Sequence, residues 1–216
     1  MTPSSDPALI EFALTLMHSR RNILPLHLEE PGPNAQQLED ILGAAAAAPD
    51  HRQLLPWRFV VVPNAQRARL AEVFGQALLD RDPNATAEQI KQAREKAYRS
   101  PFLMLAIAKL IGQPEPERAA TAHATPHFSA AEPEVNDGQR LVSLGCAIQN
   151  IILSAHACGF GTGLTSGQAL SSPGLRALFE LKPYEQAVCC INLGSVSKNQ
   201  PGRLRPSVAD YVSELS

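Results

Sequence analysis

The chain of 216 residues has little of what several large function classes leave in a sequence. It has no excess of either charge. Its 19 Lys and Arg stand against 21 Asp and Glu, for a formal net charge of -2 and a pI near 6.3. Nothing in that balance favours nucleic acid or an anionic bilayer as a partner. No apolar run reaches about 18 residues, the length of a membrane-spanning helix. Met1 to Asp6 holds no basic residue ahead of an apolar stretch, so a cytoplasmic protein without a secretory leader is expected. The four cysteines, Cys146, Cys158, Cys189 and Cys190, form no Cys-x-x-Cys pair. No second histidine stands at a zinc-type spacing from His51. Reduced, mostly buried thiols are therefore expected, with no metal site. A Gly-x-Ser-x-Gly elbow is also missing, which removes the usual sign of a serine hydrolase.

What is present is ordinary for a globular protein: 44% hydrophobic and 19% charged residues. The length can bury a substantial core. No repeat or boundary divides it, so one α+β domain over residues 1–216 is expected. Ser5 or Asp6 caps a first helix, with Pro7 in its first turn and an apolar stripe of Leu9, Phe12, Ala13, Leu16 and Met17. Asn34 caps a second helix that stops at Pro49. Trp57 to Val62 is continuous rather than alternating and predicts a buried strand. A third helix starts at Asn64, and Thr86 with Gln89 makes a capping box for a polar fourth. Phe102 to Leu110 and Gln186 to Leu193 predict two more core strands. Residues 112–134 form a long irregular connection, and 84–135 is expected to be a surface insertion or lid. From Asp137 to Cys158 the pattern is helical and apolar nearly all round, which predicts burial on most sides, in a core or between subunits.

Three stretches could carry chemistry. Arg20-Arg21-Asn22 is either a solvated helix end or an anion clamp, with Arg203 and Arg205 as a second basic pair. The run Ala45 to Phe59 takes small residues into a polar Asp-His-Arg-Gln turn beside the only tryptophan. His51 there could be a base, a ligand or a structural histidine. The glycines of 159–167 follow a helix rather than a strand, which opposes a dinucleotide loop and favours a helix C-cap and tight turn. They also leave room for a flat ring against the backbone.

Taken in order, these stretches are familiar. Arg20-Arg21-Asn22 resembles the Arg-Arg-Ser opening of the FMN-dependent nitroreductase family. Ala48-Pro49-Asp50-His51-Arg52 with Pro56-Trp57-Arg58-Phe59 resembles its second motif, in the Pro-Asp-His form of the small bacterial members. Gly159-Phe160-Gly161 through Ser166-Gly167 resembles the segment after the family's long central helix, and Arg203-Leu204-Arg205-Pro206 its basic tail before a closing strand.

The resemblance implies a nitroreductase-like fold: a central mixed sheet flanked by helices, with the long helix at the core of a homodimer and FMN at the interface. It implies NAD(P)H, NADH or NADPH, as reductant and a small electron-poor acceptor (a nitroaromatic, quinone or enone) in a ping-pong cycle. By position, Arg20 and Asn22 would lie near the flavin phosphate or ribityl chain and Arg21 at the pyrimidine edge. His51 and Gln53 would touch the flavin from their loop. Leu164, Thr165, Ser166 and Gly167 would line the ring, and Arg203 and Arg205 would hold the phosphate. The flavin would do the chemistry, so no catalytic side chain is implied. The chain departs from the family pattern at Leu24-Pro25, where a further basic residue is usual, at Leu164-Thr165 in place of Trp-Arg, and at Leu55 in place of Gln. A specialised flavoprotein with one substrate, or a degenerate binder without turnover, is the alternative.

Overall fold

The computed structural model describes residues 6–111, 135–198, 201–202 and 204–215. The expected connection at 112–134 and Arg203 lie outside them. Asp6, rather than Ser5, caps the first helix, α1 (Pro7–Ser19), by accepting from the Ala8 N–H. A short turn leads to β1 (Leu28–Glu29), and α2 (Ala35–Gly43) opens with a reciprocal capping box between Asn34 and Gln37. Then come β2 (Trp57–Val61), α3 (Arg67–Arg81) and α4 (Ala87–Glu95), the last with the Thr86–Gln89 box. The chain continues through β3 (Phe102–Lys109), α5 (Asp137–Ala157), β4 (Gly161–Thr165), α6 (Pro173–Leu178) and β5 (Glu185–Val196).

The sheet runs β1-β5-β3-β2, with β4 pairing β5. Every named pair is antiparallel, and among the described residues the parallel component is a single bridge between Asn22 and Thr162. Met104, Ala106 and Ala108 face one layer, α2 and α5, with Leu144, Ile148 and Ile151. Leu103, Leu105 and Ile107 face the other, α3 and α6, with Leu70 and Leu175. That two-sided burial is why β3 reads as an unbroken apolar run.

Three expectations need correction, and a fourth is met only in part. β2 is an edge strand, with Val61 41% exposed, so its continuous run does not mean burial on both faces. The span 84–135 contains β3, whose residues 103–108 are buried, so among the described residues only α4 and its flanks belong to the surface. Within one chain α5 is buried along one face, where Leu144, Ala147, Ile148, Ile151, Ile152 and Ala155 pack inward, while Leu141 and Val142 are 37% and 67% exposed, which leaves the alternative of burial between subunits open. No strand follows Arg205 among the described residues, where the tail makes one short turn at Val208–Asp210.

α1 buries nothing fully. Leu9, Ile10, Phe12, Leu14 and Met17 are all 45% exposed or more. Of its predicted apolar stripe, Ala13 and Leu16 are partly covered among the described residues and Leu9, Phe12 and Met17 are exposed. Among the described residues, no helix is long and apolar enough to cross a membrane. All four cysteines are free, with Cys189 and Cys190 buried.

Candidate functional site

The carbonyl end of α1 is where cations gather. The Arg21 guanidinium folds back to donate to the carbonyls of Ser19 and Arg20, both at 3.0 Å, and to that of His18. Arg205, from the tail, donates to the carbonyls of His18 at 3.1 Å and Arg20 at 3.3 Å. Side-chain donors thus satisfy carbonyls that a helix end leaves without partners. Arg20 is held below the usual arginine value by burial first, and then by the positive charges of Arg205 and Arg21. Beside them Ser19 Oγ and His156 Nε2 lie 2.7 Å apart, and His156 is lowered by burial and by Arg20 and Arg21. Among the described residues no carboxylate pairs with Arg20, Arg21 or Arg205. Three like charges left uncompensated at one point attract an anion.

The chain beyond Arg21 locks onto β4. Ile23 N–H donates to Thr162 at 2.8 Å, and Asn22 Oδ1 accepts from the Leu164 N–H at 3.2 Å. A methyl group at Gly163 would stand far inside van der Waals contact with the Ile23 carbonyl oxygen. The glycine therefore exists to let two backbones cross. Under β4, buried Asn192 donates to the Gly163 carbonyl at 3.0 Å and to Thr165 Oγ1 at 3.2 Å, and accepts from Ser100 Oγ at 3.0 Å. This fixes Thr165 at the mouth of a cavity of about 530 Å³. Ser166 and Gly167, the turn at Leu24–Leu26, and α3 and α4 line the rest. Cys190 lies at its floor, and burial pushes that thiol up to about 12, so it is no nucleophile.

The Asp50 loop stands elsewhere. His51–Gln53 form a short 3-10 turn, with His51 and Gln53 exposed. Gln53 and Leu55 hold positive φ values of 55° and 46°, strained for residues with a Cβ. Asp50 Oδ2 accepts from the Leu55 N–H at 2.7 Å and so holds the turn. Its Oδ1 is buried without a partner among the described residues. Burial raises the Asp50 carboxyl, against the Leu55 and Leu54 N–H groups and the charges of Arg140 and His51.

α5 measures how far apart these groups are. Asp50 feels Arg140 near the start of α5, and Ser19 meets His156 near its end. Those two α5 residues are 16 positions apart, or about 24 Å at ~1.5 Å per residue. One chain therefore brings Arg20, Arg21, Asn22, Leu164, Thr165, Ser166, Gly167 and Arg205 together, and leaves His51 and Gln53 at the far end. Sequence reasoning missed His156, Ser19 and Asn192. A polar Asn inside the apolar run Val188 to Leu193 was the one readable signal.

Comparisons with known proteins bear on the family and the fold. The sequence model described as the nitroreductase family matches residues 27–195. The Escherichia coli K12 protein provisionally named NAD(P)H nitroreductase YdjA is 30% identical over 183 residues, covering 85% of this chain and 87% of that one. A Haemophilus influenzae relative with the same provisional activity is 29% identical and covers 94% and 99%. Among solved structures, a nitroreductase-like protein from Bacillus cereus aligns with a TM-score of 0.74 at 15% identity, over 100% of this chain and 98% of that one. A nitroreductase with bound FMN from Desulfitobacterium hafniense aligns with a TM-score of 0.63 at 20% identity, over 94% and 97%. With the family's model covering most of the chain and its fold reproduced throughout the described residues, the chain belongs to the nitroreductase family.

Proposed function

We propose that this protein is an FMN-dependent NAD(P)H oxidoreductase that reduces electron-poor acceptors, and that it works as a homodimer with FMN at the interface. The uncompensated cluster of Arg20, Arg21 and Arg205 carries the reading. The FMN phosphate carries roughly two negative charges near neutral pH, which these groups would neutralise. Each charge-assisted hydrogen bond contributes about 1.5–3 kcal/mol, so two of them change retention by roughly two to four orders of magnitude. When bound, FMN supplies the two-electron chemistry. The chain holds the phosphate with Arg20 and Arg205, and orients the ring against Leu164, Thr165, Ser166 and Gly167. Arg21, anchored to the α1 carbonyls, adds fixed positive charge nearby.

Two observations support the dimer. α1 and the outer face of α5 expose apolar side chains that a second copy would cover. An antiparallel pairing of α5 with its twin would also bring the partner's Asp50 loop beside this chain's arginines. An isologous two-fold interface does this twice. His51 and Gln53 then complete the site in the other subunit. The strained φ angles in their loop fit that role.

The test is one absorbance experiment. Purified protein mixed with FMN should show flavin bands shifted from free FMN after desalting, and NADH or NADPH should bleach them without oxygen. A protein that retains no flavin refutes the reading. Bound flavin that neither nucleotide bleaches supports the degenerate binder instead.

A further inference from the structure

Asn192 is a polar residue inside the apolar strand β5, and it is 2% exposed. An amide side chain has two orientations, and its neighbours decide between them. Ser100 Oγ at 3.0 Å and Thr165 Oγ1 at 3.2 Å are hydroxyls, which either donate or accept. They would suit the amide turned over as well, with Ser100 donating to the Phe102 carbonyl at 2.9 Å. The Gly163 carbonyl, 3.0 Å away, only accepts. Turning the amide over would set two oxygens 3.0 Å apart with no hydrogen between them. Nδ2 therefore faces Gly163, and its second hydrogen goes to Thr165 Oγ1. A hydroxyl that accepts on its inner side turns its own hydrogen outward. The Thr165 hydroxyl finds no acceptor among the described residues, and its side chain is exposed at the mouth of the cavity. Thr165 thus offers the cavity a donor rather than an acceptor.

We propose that Asn192 is a positioning residue for the flavin: it fixes the Thr165 hydroxyl as a hydrogen-bond donor to the edge of the FMN ring, and so favours the reduced cofactor. The inference rests on the reading of Leu164 to Gly167 as the border of that ring. The acceptor atoms on a flavin's edge gain electron density when the ring takes up two electrons. A donor held against them makes a neutral bond to the oxidised ring and a stronger, charge-assisted one to the reduced ring. Without Asn192 the hydroxyl turns freely and presents its lone pairs to the ring as readily as its hydrogen. Asn192 itself is buried beneath β4 and acts only through Thr165.

The midpoint potential of the bound FMN, read by anaerobic reduction in equilibrium with a reference dye, tests it. Asn192→Leu should lower the ratio of reduced to oxidised FMN at a given dye potential by roughly fivefold, the gap between a charge-assisted and a neutral hydrogen bond. Thr165→Val should lower it as much, and the two together no further than either alone, because both remove the same donor. Asn192→Ala, which only takes atoms away, replaces the leucine variant if that one does not fold. A purely structural role would weaken oxidised and reduced FMN alike and leave the ratio where it was. An Asn192 variant that holds FMN at the parent's potential therefore overturns the proposal, and so do losses that add in the double variant. An unmoved potential in Thr165→Val, at an exposed position, overturns it as well. An unaltered protein that retains no FMN refutes the function proposed above, and this inference with it.

Discussion

Gly163→Ala is the sharpest test of how the site is assembled. The added methyl would meet the Ile23 carbonyl oxygen, a backbone atom that cannot rotate away. Relief requires the strand after Arg21 to lift from β4, which breaks Ile23 N–H to Thr162 and Leu164 N–H to Asn22 Oδ1. Two hydrogen bonds are worth about 1 kcal/mol each. Residual overpacking adds about 1–3 kcal/mol, and the stiffer unfolded chain offsets about 0.4–1 kcal/mol. The net is about 3 kcal/mol, or a fall in Tm of roughly 6–12 °C for a chain of this size. Urea denaturation of the apo protein measures it. Gly145→Ala is the control, because nothing lies within 4 Å of its added methyl and helix propensity favours Ala. FMN retention should fall as well, because Asn22 and Leu164 separate. A Gly163→Ala protein within about 1 kcal/mol of the parent, with flavin retained, would refute the argument that the backbone crossing sets both stability and the site.

Other consequences are open to measurement. Arg58 grips Glu185 with two bonds of 2.7 and 2.9 Å, and this pairing holds Glu185 below the usual carboxylate value despite its burial. A lowered acid stabilises the fold above its unfolded value and loses that contribution as pH falls through the lowered one. Glu185→Gln should therefore cost about 2–3 kcal/mol at pH 7, and the gap should close below its ordinary 4.5. An equal gap at both pH values in urea melts contradicts the pairing. Arg67 is 3% exposed and donates to the carbonyls of Val62, Ala97 and Pro101. Arg67→Met strands those acceptors and should cost about 3 kcal/mol or more, read by thermal melting; a loss below 1 kcal/mol would show that water replaces it. His156 is depressed in part by Arg20 and Arg21. Proton NMR should show its pKa rising when FMN or inorganic phosphate binds, and an unmoved titration places the anion elsewhere.

How much of this was legible follows from what each residue answers to. Asn34 and Thr86 announced their helices because a cap is a local bond within three residues. β3 was legible because both of its faces are covered. β4 was not. Gly161 and Gly163 read as a turn, and the reason for them is Ile23, some 140 positions away in sequence. The edge position of β2 was hidden for the same reason, since exposure depends on a neighbouring strand that is not there. Nothing in the sequence singles out Arg67 or Arg99, and only the fold shows one buried and the other lining a cavity. In the candidate site, the arginines and the segment 164–167 were named in advance, but not that His51 and Gln53 lie beyond the reach of the same chain.

The length of α5 also bears on genetics. In the proposed homodimer, lesions near its two ends should complement each other within a single gene. In the homodimer proposed above, a chain with Arg20→Ala spoils the site it anchors, and a chain with His51→Ala spoils the site on its partner. Mixed in one cell, the two defective products would rebuild one sound site per heterodimer. Random assortment would then return roughly a quarter of the full complement of sites from two inactive parents.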